Sequence, residues 1–185
     1  MRSCVTAVYK VDRACSANKG GRCRAKTVGA VWLLKDHCGA TDEAIEFLTD
    51  EENLAHAKSV YVAANGDGRV TDAEKDWMIG YFTAAGASQS TIDALKSYTG
   101  GDQFEDFFAM EGVRQIAQRS WIWDAIRACG ADGDLADEEL ATIHRMAAKV
   151  GIPAEVVDEF VDIYRHEQEL KRKRIELAFP GGTMP

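Results

Sequence analysis

The chain has 185 residues, of which 46% are hydrophobic and 28% charged, and its formal net charge is −8. This composition excludes a disordered or low-complexity chain and is typical of a globular protein with a sizeable core. No apolar run approaches the ~18 residues that a membrane-spanning helix needs, so we expect a soluble protein.

Residues 1–40 form a basic segment that contains four of the five cysteines, and the pattern leaves its order open. We separate this segment from a domain at residues 41–178 and a tail at residues 179–185. The cysteine spacing matches no common zinc motif, and no apolar signal sequence is present, so we expect reduced thiols in a cytoplasmic protein. An organelle presequence over residues 1–26, which carry seven bases against one acid, is an open alternative. The cysteines of the segment are Cys4, Cys15, Cys23 and Cys38.

The body of the chain is strongly acidic, and the end is basic. Residues 27–164 carry 26 acids and ten bases, whereas Lys171, Arg172, Lys173 and Arg174 are consecutive cations. An acidic body opposes nucleic-acid binding and suits cations or a basic protein surface. We therefore expect no nucleic-acid partner and an unidentified protein partner. For the four basic residues, peripheral contact with an anionic membrane and stabilisation of a helix C-terminus are two open interpretations.

Helix signals dominate from residue 49 onward. Residues 49–52 (TDEE) and 71–74 (TDAE) are capping boxes, and each predicts that a helix follows. Gly86 is expected to end the second of these helices, and Ser88 or Ser90 to cap a short third one.

The second half of the chain repeats this order. An apolar stretch at residues 104–126 predicts two helices or one bent helix. Asp134 is expected to cap the next helix, which Gly151 ends, and Pro153 opens a long last helix. Strand signals are nearly absent, so the predicted fold is all-α, with about seven helices.

An internal repeat organises these helices. The stretch AANGDGRVTDAE (63–74) aligns without a gap on the later stretch ACGADGDLADEE (128–139). A single copy cannot bury its apolar faces alone. We therefore predict two helix-turn-helix units, at about residues 50–98 and 115–163, that share one core.

Each copy contains a turn that resembles the calcium loop of an EF-hand. Such a loop takes side-chain ligands at positions 1, 3, 5, 9 and 12 and has glycine at position 6. With Gly68 and Gly133 at position 6, position 1 is occupied by Ala63 and Ala128, so both copies lack the first carboxylate. The candidate metal ligands that remain are Asn65, Asp67, Thr71 and Glu74 in the first copy, and Asp132 and Glu139 in the second.

Three interpretations of these turns follow. In the first they are purely structural, because Gly68 and Gly133 supply the backbone shape and Glu74 completes a capping box. In the second the remaining oxygens bind calcium or magnesium weakly, and the protein requires no cofactor. In the third the chain is a degenerate EF-hand calcium sensor or buffer, although its turns are farther apart than those of paired EF-hands.

The second copy also carries a resemblance to a known family. Residues 125–164 combine a small residue on a helix (Ala128), an Asp-Gly turn at Asp132, an acidic helix start at Glu139 and a helix that ends at Gly151. This pattern resembles the tellurite-resistance TerB-like domain, over about residues 50–165. The resemblance implies an acidic all-helical protein of two similar halves, cytoplasmic and often membrane-adjacent, that serves as a metal-linked stress or scaffold module. The residues that carry over are Asp67, Glu74, Asp132 and Glu139.

An enzymatic function is not expected. The histidines are scattered, and no nucleophile elbow, phosphate loop or His-Glu-x-x-His motif occurs. The predicted function is therefore a non-enzymatic binding or scaffold module of TerB-like type with weak divalent-cation binding. A degenerate EF-hand calcium-binding protein is the alternative.

Overall fold

The structure is a computed structural model that describes residues 27–41, 49–102, 104, 107 and 115–181. Within these residues it contains seven α-helices, one short 3-10 turn and no strand, which confirms the predicted all-α fold. The helices are α1 (Val28–Cys38), α2 (Asp50–Ala64), α3 (Asp72–Ala84), α4 (Gln89–Ser97), α5 (Gln115–Cys129), α6 (Asp137–Lys149) and α7 (Ala154–Ala178), and the 3-10 turn is Gly130–Asp132.

The helix bounds follow the internal repeat. The alignment that places position 63 on position 128 also places α2 on α5 and α3 on α6, with both ends of each helix coinciding. It places the start of α4 on the start of α7 as well. The described helices thus form two units of the same order, α2–α3–α4 and α5–α6–α7. Only the third helix differs in length, with 9 residues in α4 and 25 in α7.

The helix starts were predicted correctly in the first unit. The N–H of Glu52 donates to Thr49 Oγ1 over 3.1 Å, and that of Glu74 donates to Thr71 Oγ1 over 3.3 Å, in complete capping boxes. Ser88, not Ser90, caps α4 by accepting the N–H of Thr91 over 3.2 Å.

In the second unit the predicted cap of α6 was wrong. The helix begins at Asp137, and the N-cap residue is Ala136, not Asp134. Glu139 Oε2 accepts the N–H of Ala136 over 2.9 Å and thereby fixes the helix start beyond Asp134. The Asp134 carboxylate instead accepts the N–H of Leu135 over 2.9 Å in the preceding turn. Gly86 and Gly151 follow α3 and α6 with φ of 83° and 72°, as expected of helix-ending glycines.

One core is shared by both units. Helices α2 and α5 make the most extensive contact between any two described helices, and fully buried alanines such as Ala57 and Ala125 let them approach closely. His56 and Trp121, which are equivalent positions of the repeat, stack with ring centroids 4.8 Å apart. The core cluster runs from Ala57 to Tyr164 and takes side chains from all six helices α2–α7.

Helix α1 lies inside the segment whose order the sequence left open. Thr27 caps it, Gly39 ends it with φ of 62°, and Leu34 packs against Ala85 just after α3. Trp32 on its other side is exposed. Residues 1–26, with their presequence interpretation, lie outside the described residues. Of the helices described, none is both long enough and apolar enough to cross a membrane.

Candidate functional site

The two Asp-Gly turns have the same local geometry. Asp67 Oδ1 accepts the N–H of Arg69 over 2.8 Å, and Asp132 Oδ1 accepts the N–H of Asp134 over 3.0 Å. Gly68 and its counterpart Gly133 follow with φ of 87° and 98°, a region that L side chains rarely adopt. Each aspartate therefore commits one carboxylate oxygen to its own turn, and both aspartates are exposed.

The two capping glutamates are buried against each other. Glu74 and Glu139 are only 2% and 4% exposed, and their carboxyls hydrogen-bond one another. Each also uses Oε2 for its own helix start, accepting the N–H of Thr71 over 2.6 Å and of Ala136 over 2.9 Å. The pair joins residues of different repeats, so it links the two turns to each other.

Burial and this contact change the protonation of Glu139. Desolvation, followed by the hydrogen bond to Glu74, raises the pKa of Glu139 to about 8, and the charge of Asp67 adds to the effect. Two buried carboxylates in contact repel each other, so Glu139 holds a proton at neutral pH.

The turns are held in place by close reciprocal packing. An added Cβ at Gly66 would lie 2.9 Å from Glu139 Cα, so the first turn sits directly on the start of α6. The 3-10 turn of the second unit in return contacts α3. There the Tyr164 hydroxyl donates to the carbonyl of Gly130 over 2.5 Å.

A buried cysteine extends the site. Cys129, at the end of α5, is fully buried and hydrogen-bonds Glu139. Burial first, and then the charges of Glu139 and Glu74, raises the pKa of this thiol well above its usual range, so it stays an unreactive thiol. The repeat contains no signal for this role, because the equivalent residue of the first copy is Ala64.

The six predicted metal ligands are therefore distributed differently from the loops of an EF-hand. Glu74 and Glu139 meet, Asp67 lies near enough to influence Glu139, and Thr71 donates its hydroxyl to Glu74 Oε2 over 2.9 Å. Asn65 is the C-cap residue of α2, and Asp132 stays in its own exposed turn. Among the described residues, no group of three or more His, Cys, Asp or Glu side chains is arranged to hold a metal ion. The assignment of these residues as ligands stays a prediction.

Comparison with known proteins agrees with this arrangement of helices. No protein-family model and no curated protein matches the chain. The crystal structure of a tellurite resistance protein from Nostoc punctiforme matches it with a TM-score of 0.74 and 32% identity, over 85% of this chain and 96% of that one. The chain belongs to the tellurite-resistance TerB-like family. The resemblance seen in residues 125–164 is thereby confirmed, and the EF-hand alternative receives no support.

A second buried polar cluster in this TerB-like chain was not anticipated. Asp124 on α5 is 2% exposed, and its carboxylate lies 3.3 Å from His56 Nε2 and 3.5 Å from Arg127 Nη1. The Tyr81 hydroxyl also hydrogen-bonds it, and burial raises the pKa of that phenol. Because the equivalent of Asp124 in the first copy is Ser59, the repeat contained no signal for this cluster.

The cluster ties α1 to the TerB-like body. The guanidinium of Arg127 lies 5.0 Å from the ring centroid of Trp77 and contacts His37 Nε2 on α1. Cys38, also on α1, has its Sγ 3.6 Å from Tyr81 Oη, and burial raises the pKa of this thiol. The thiols at Cys4, Cys15 and Cys23 fall outside the described residues.

Proposed function

We propose that this TerB-like protein is a non-enzymatic binding module whose paired Asp-Gly turns bind one divalent cation weakly, at a place shared by both repeats. The observation that carries the proposal is the contact between the buried carboxyls of Glu74 and Glu139, where the raised pKa of Glu139 means that a proton stabilises the contact. A cation that replaces this proton would remove the repulsion within the pair, and the nearby charge of Asp67 would assist it.

The donor set fits a hard cation but not a tight site. Carboxylate oxygens are the ligands that magnesium and calcium prefer, and magnesium keeps several waters when a protein supplies only one or two carboxylates. Here one oxygen of each glutamate is already engaged by the backbone of its helix start. We therefore expect binding far weaker than that of an EF-hand sensor, with magnesium or calcium as a dispensable ligand.

The non-enzymatic role is supported by how the buried ionisable groups are used. Glu74 and Glu139 accept the N–H groups of helix starts, and Asp124 accepts a hydrogen bond from Arg127, as expected of groups that stabilise a fold. The Nostoc neighbour is named as a tellurite resistance protein. We propose that this chain serves resistance of that kind in the cytoplasm, as a scaffold whose acidic body binds a protein partner.

Titration calorimetry with Mg²⁺ and with Ca²⁺, at pH 6.5 and pH 8.5, tests the cation site. We expect a dissociation constant in roughly the 0.1–1 mM range, about tenfold tighter at the higher pH because the cation displaces a proton. Glu139→Gln should abolish this pH dependence and weaken binding. Glu52→Gln is the matched control, since Glu52 completes the same capping box at α2.

Two outcomes would overturn the proposal. Binding that is equal in wild type and Glu139→Gln at both pH values would place the cation elsewhere. Sub-micromolar calcium binding by the natural chain would restore the EF-hand hypothesis.

A further inference from the structure

A cleft lies beside the part of α7 that has no counterpart in the first repeat. Helix α7 is 25 residues long and α4 only 9, so residues 163–178 extend beyond the repeat. One face of this extension borders a cleft of about 580 Å³, which is also lined by His37 of α1, Trp77 of α3 and Arg127 of α5. This volume is within the range of about 300–1,000 Å³ of small-molecule sites.

The cleft is basic although the chain as a whole is acidic. Its charged lining residues are Arg127, Lys171, Arg174 and a single acid, Glu167. Burial and the neighbouring Arg127 lower the pKa of His37, so that this lining histidine is neutral at pH 7. The lining therefore carries a net charge of +2, in a chain whose formal net charge is −8.

The side chain of Arg127 is fixed in a position that suits anion binding. Its side chain is 19% exposed, and its guanidinium lies over the rings of Trp77 and Tyr81 at 5.0 and 5.5 Å. Nη1 faces Asp124, and it donates to His37 Nε2 because a guanidinium can only donate. A planar guanidinium fixed in this way loses little entropy when it binds an oxyanion.

Lys171 and Arg174 line the same cleft from helix α7. They are exposed, lie one turn apart on α7 and border the cleft together, whereas Arg172 and Lys173, between them, do not border it. None of the ion pairs between described residues uses Lys171 or Arg174. Two exposed cations and one fixed guanidinium thus line the same cleft.

We propose that this cleft binds a phosphomonoester group, with Arg127, Lys171 and Arg174 as its contacts. Three cationic donors around one small volume match the two charges and three terminal oxygens of such a group. The acidic body disfavours a long polyanion such as nucleic acid, because its remaining length would meet like charge. Two kinds of molecule carry such a phosphomonoester group, namely a soluble phosphorylated metabolite and phosphatidic acid, through its headgroup. This site is independent of the cation site at Glu74 and Glu139.

The site is tested by titrating the full chain with inorganic phosphate at low salt. Calorimetry and NMR of the arginine side chains monitor the binding. We expect a dissociation constant of roughly 1 mM and a shift of the Arg127 resonance. The double variant Lys171→Gln/Arg174→Gln should weaken binding about tenfold, since it removes two charge-assisted contacts. Arg172→Gln/Lys173→Gln changes the net charge by the same amount and should change binding less than about twofold.

Arg127→Gln should abolish phosphate binding. The unfolding midpoint of this variant is also measured, because the substitution removes a neighbour of Asp124. The two double variants keep the test decisive if Arg127→Gln does not fold. If both double variants weaken phosphate binding equally, phosphate is attracted to the charge of α7 without a defined site. That result would overturn the proposal. Absence of phosphate binding up to about 20 mM would also overturn it, because that concentration exceeds the expected constant by about twentyfold.

Co-sedimentation with phosphatidylcholine vesicles distinguishes the two sources. One set contains phosphatidic acid and the other the same fraction of phosphatidylserine. Stronger sedimentation with phosphatidic acid, reversed by inorganic phosphate, identifies the lipid headgroup. Phosphate binding without sedimentation on either vesicle identifies a soluble phosphomonoester.

Discussion

The two repeats have the same helix order but differ in what their helices contain. In the first, α2 has Ser59 and Ala64 at its buried face, whereas the equivalent positions of α5 hold Asp124 and Cys129. The first ends in α4, a helix of 9 residues, and the second in α7, a helix of 25 residues. The common features build the fold, and the differences supply the buried Asp124 cluster and the basic cleft.

The largest effect is expected at Asp124, where the repeats differ most in chemistry. Asp124→Ser copies Ser59 of the first repeat and leaves His56 and Arg127 without their carboxylate partner. We expect a loss of about 3–5 kcal/mol in the free energy of unfolding, as for other broken buried charge pairs. Urea unfolding measures it, and Asp134→Ser, in an exposed turn, is the control. A loss below about 1 kcal/mol would mean that the cluster contributes little to stability.

The next largest effect is expected in the Asp-Gly turn of the first repeat. Gly66 and Ala131 are equivalent, but only the first position lacks room for a Cβ, because Glu139 Cα and the Ala63 carbonyl would each lie 2.9 Å away. Both neighbours are backbone atoms that cannot rotate aside. Gly66→Ala should therefore destabilise the protein by about 2–4 kcal/mol in urea unfolding. Ala131→Gly should cost about 1 kcal/mol or less. Similar costs for both would contradict the close packing of the first turn on α6.

The carboxyl pair predicts a dependence of stability on pH. Because the pKa of Glu139 is raised to about 8 in the folded protein, the stability from its protonated form is complete below its unfolded pKa and is lost as pH rises through 8. Glu139→Gln stays neutral and can still accept at the helix start. At pH 8.5 we expect it to be more stable than wild type by about 1–3 kcal/mol, and at pH 4.5 nearly equal. Glu52→Gln should show no such gain between these pH values.

The smallest effect concerns the incomplete capping box of the second repeat. Ala136 has the extended backbone of Thr71, with ψ of 147° and 162°, but no hydroxyl to accept the N–H of Glu139. Ala136→Thr should add about 1 kcal/mol to the free energy of unfolding, and Thr71→Ala should remove a similar amount. Thermal unfolding of the two variants and their combination measures both effects. If the starts of α3 and α6 are equivalent, the two substitutions must change the free energy of unfolding in opposite directions.

Much of the fold could be predicted because its signals act within one helical turn. The capping boxes at Thr49 and Thr71 and the glycines at 86 and 151 fixed the helix ends, and the repeat fixed their order. Where a local signal had a competitor, the prediction was wrong. Asp134 is a good capping residue, yet the carboxyl of Glu139 selected Ala136.

The sequence predicted individual residues of the candidate site but not their arrangement in space. Glu74 and Glu139 were identified as equivalent residues of two separate loops, but their mutual contact depends on how the repeats pack, and no local pattern encodes it. The same holds for Asp124 and His56, which belong to different repeats and lie 3.3 Å apart in space.

The sequence by itself determined most of the helices, their duplication and the family, since these follow from residues within a few positions of each other or from a repeated pattern. It did not determine helix α1 or the start of α6. Only the tertiary structure decided which charged groups meet. Burial then set their protonation, because desolvation of a carboxyl depends on the neighbours that surround it and not on its place in a motif. The cleft shows the same distinction. Lys171 and Arg174 are visible in the sequence as part of a basic run, but only the folded chain brings Arg127 to the same cleft.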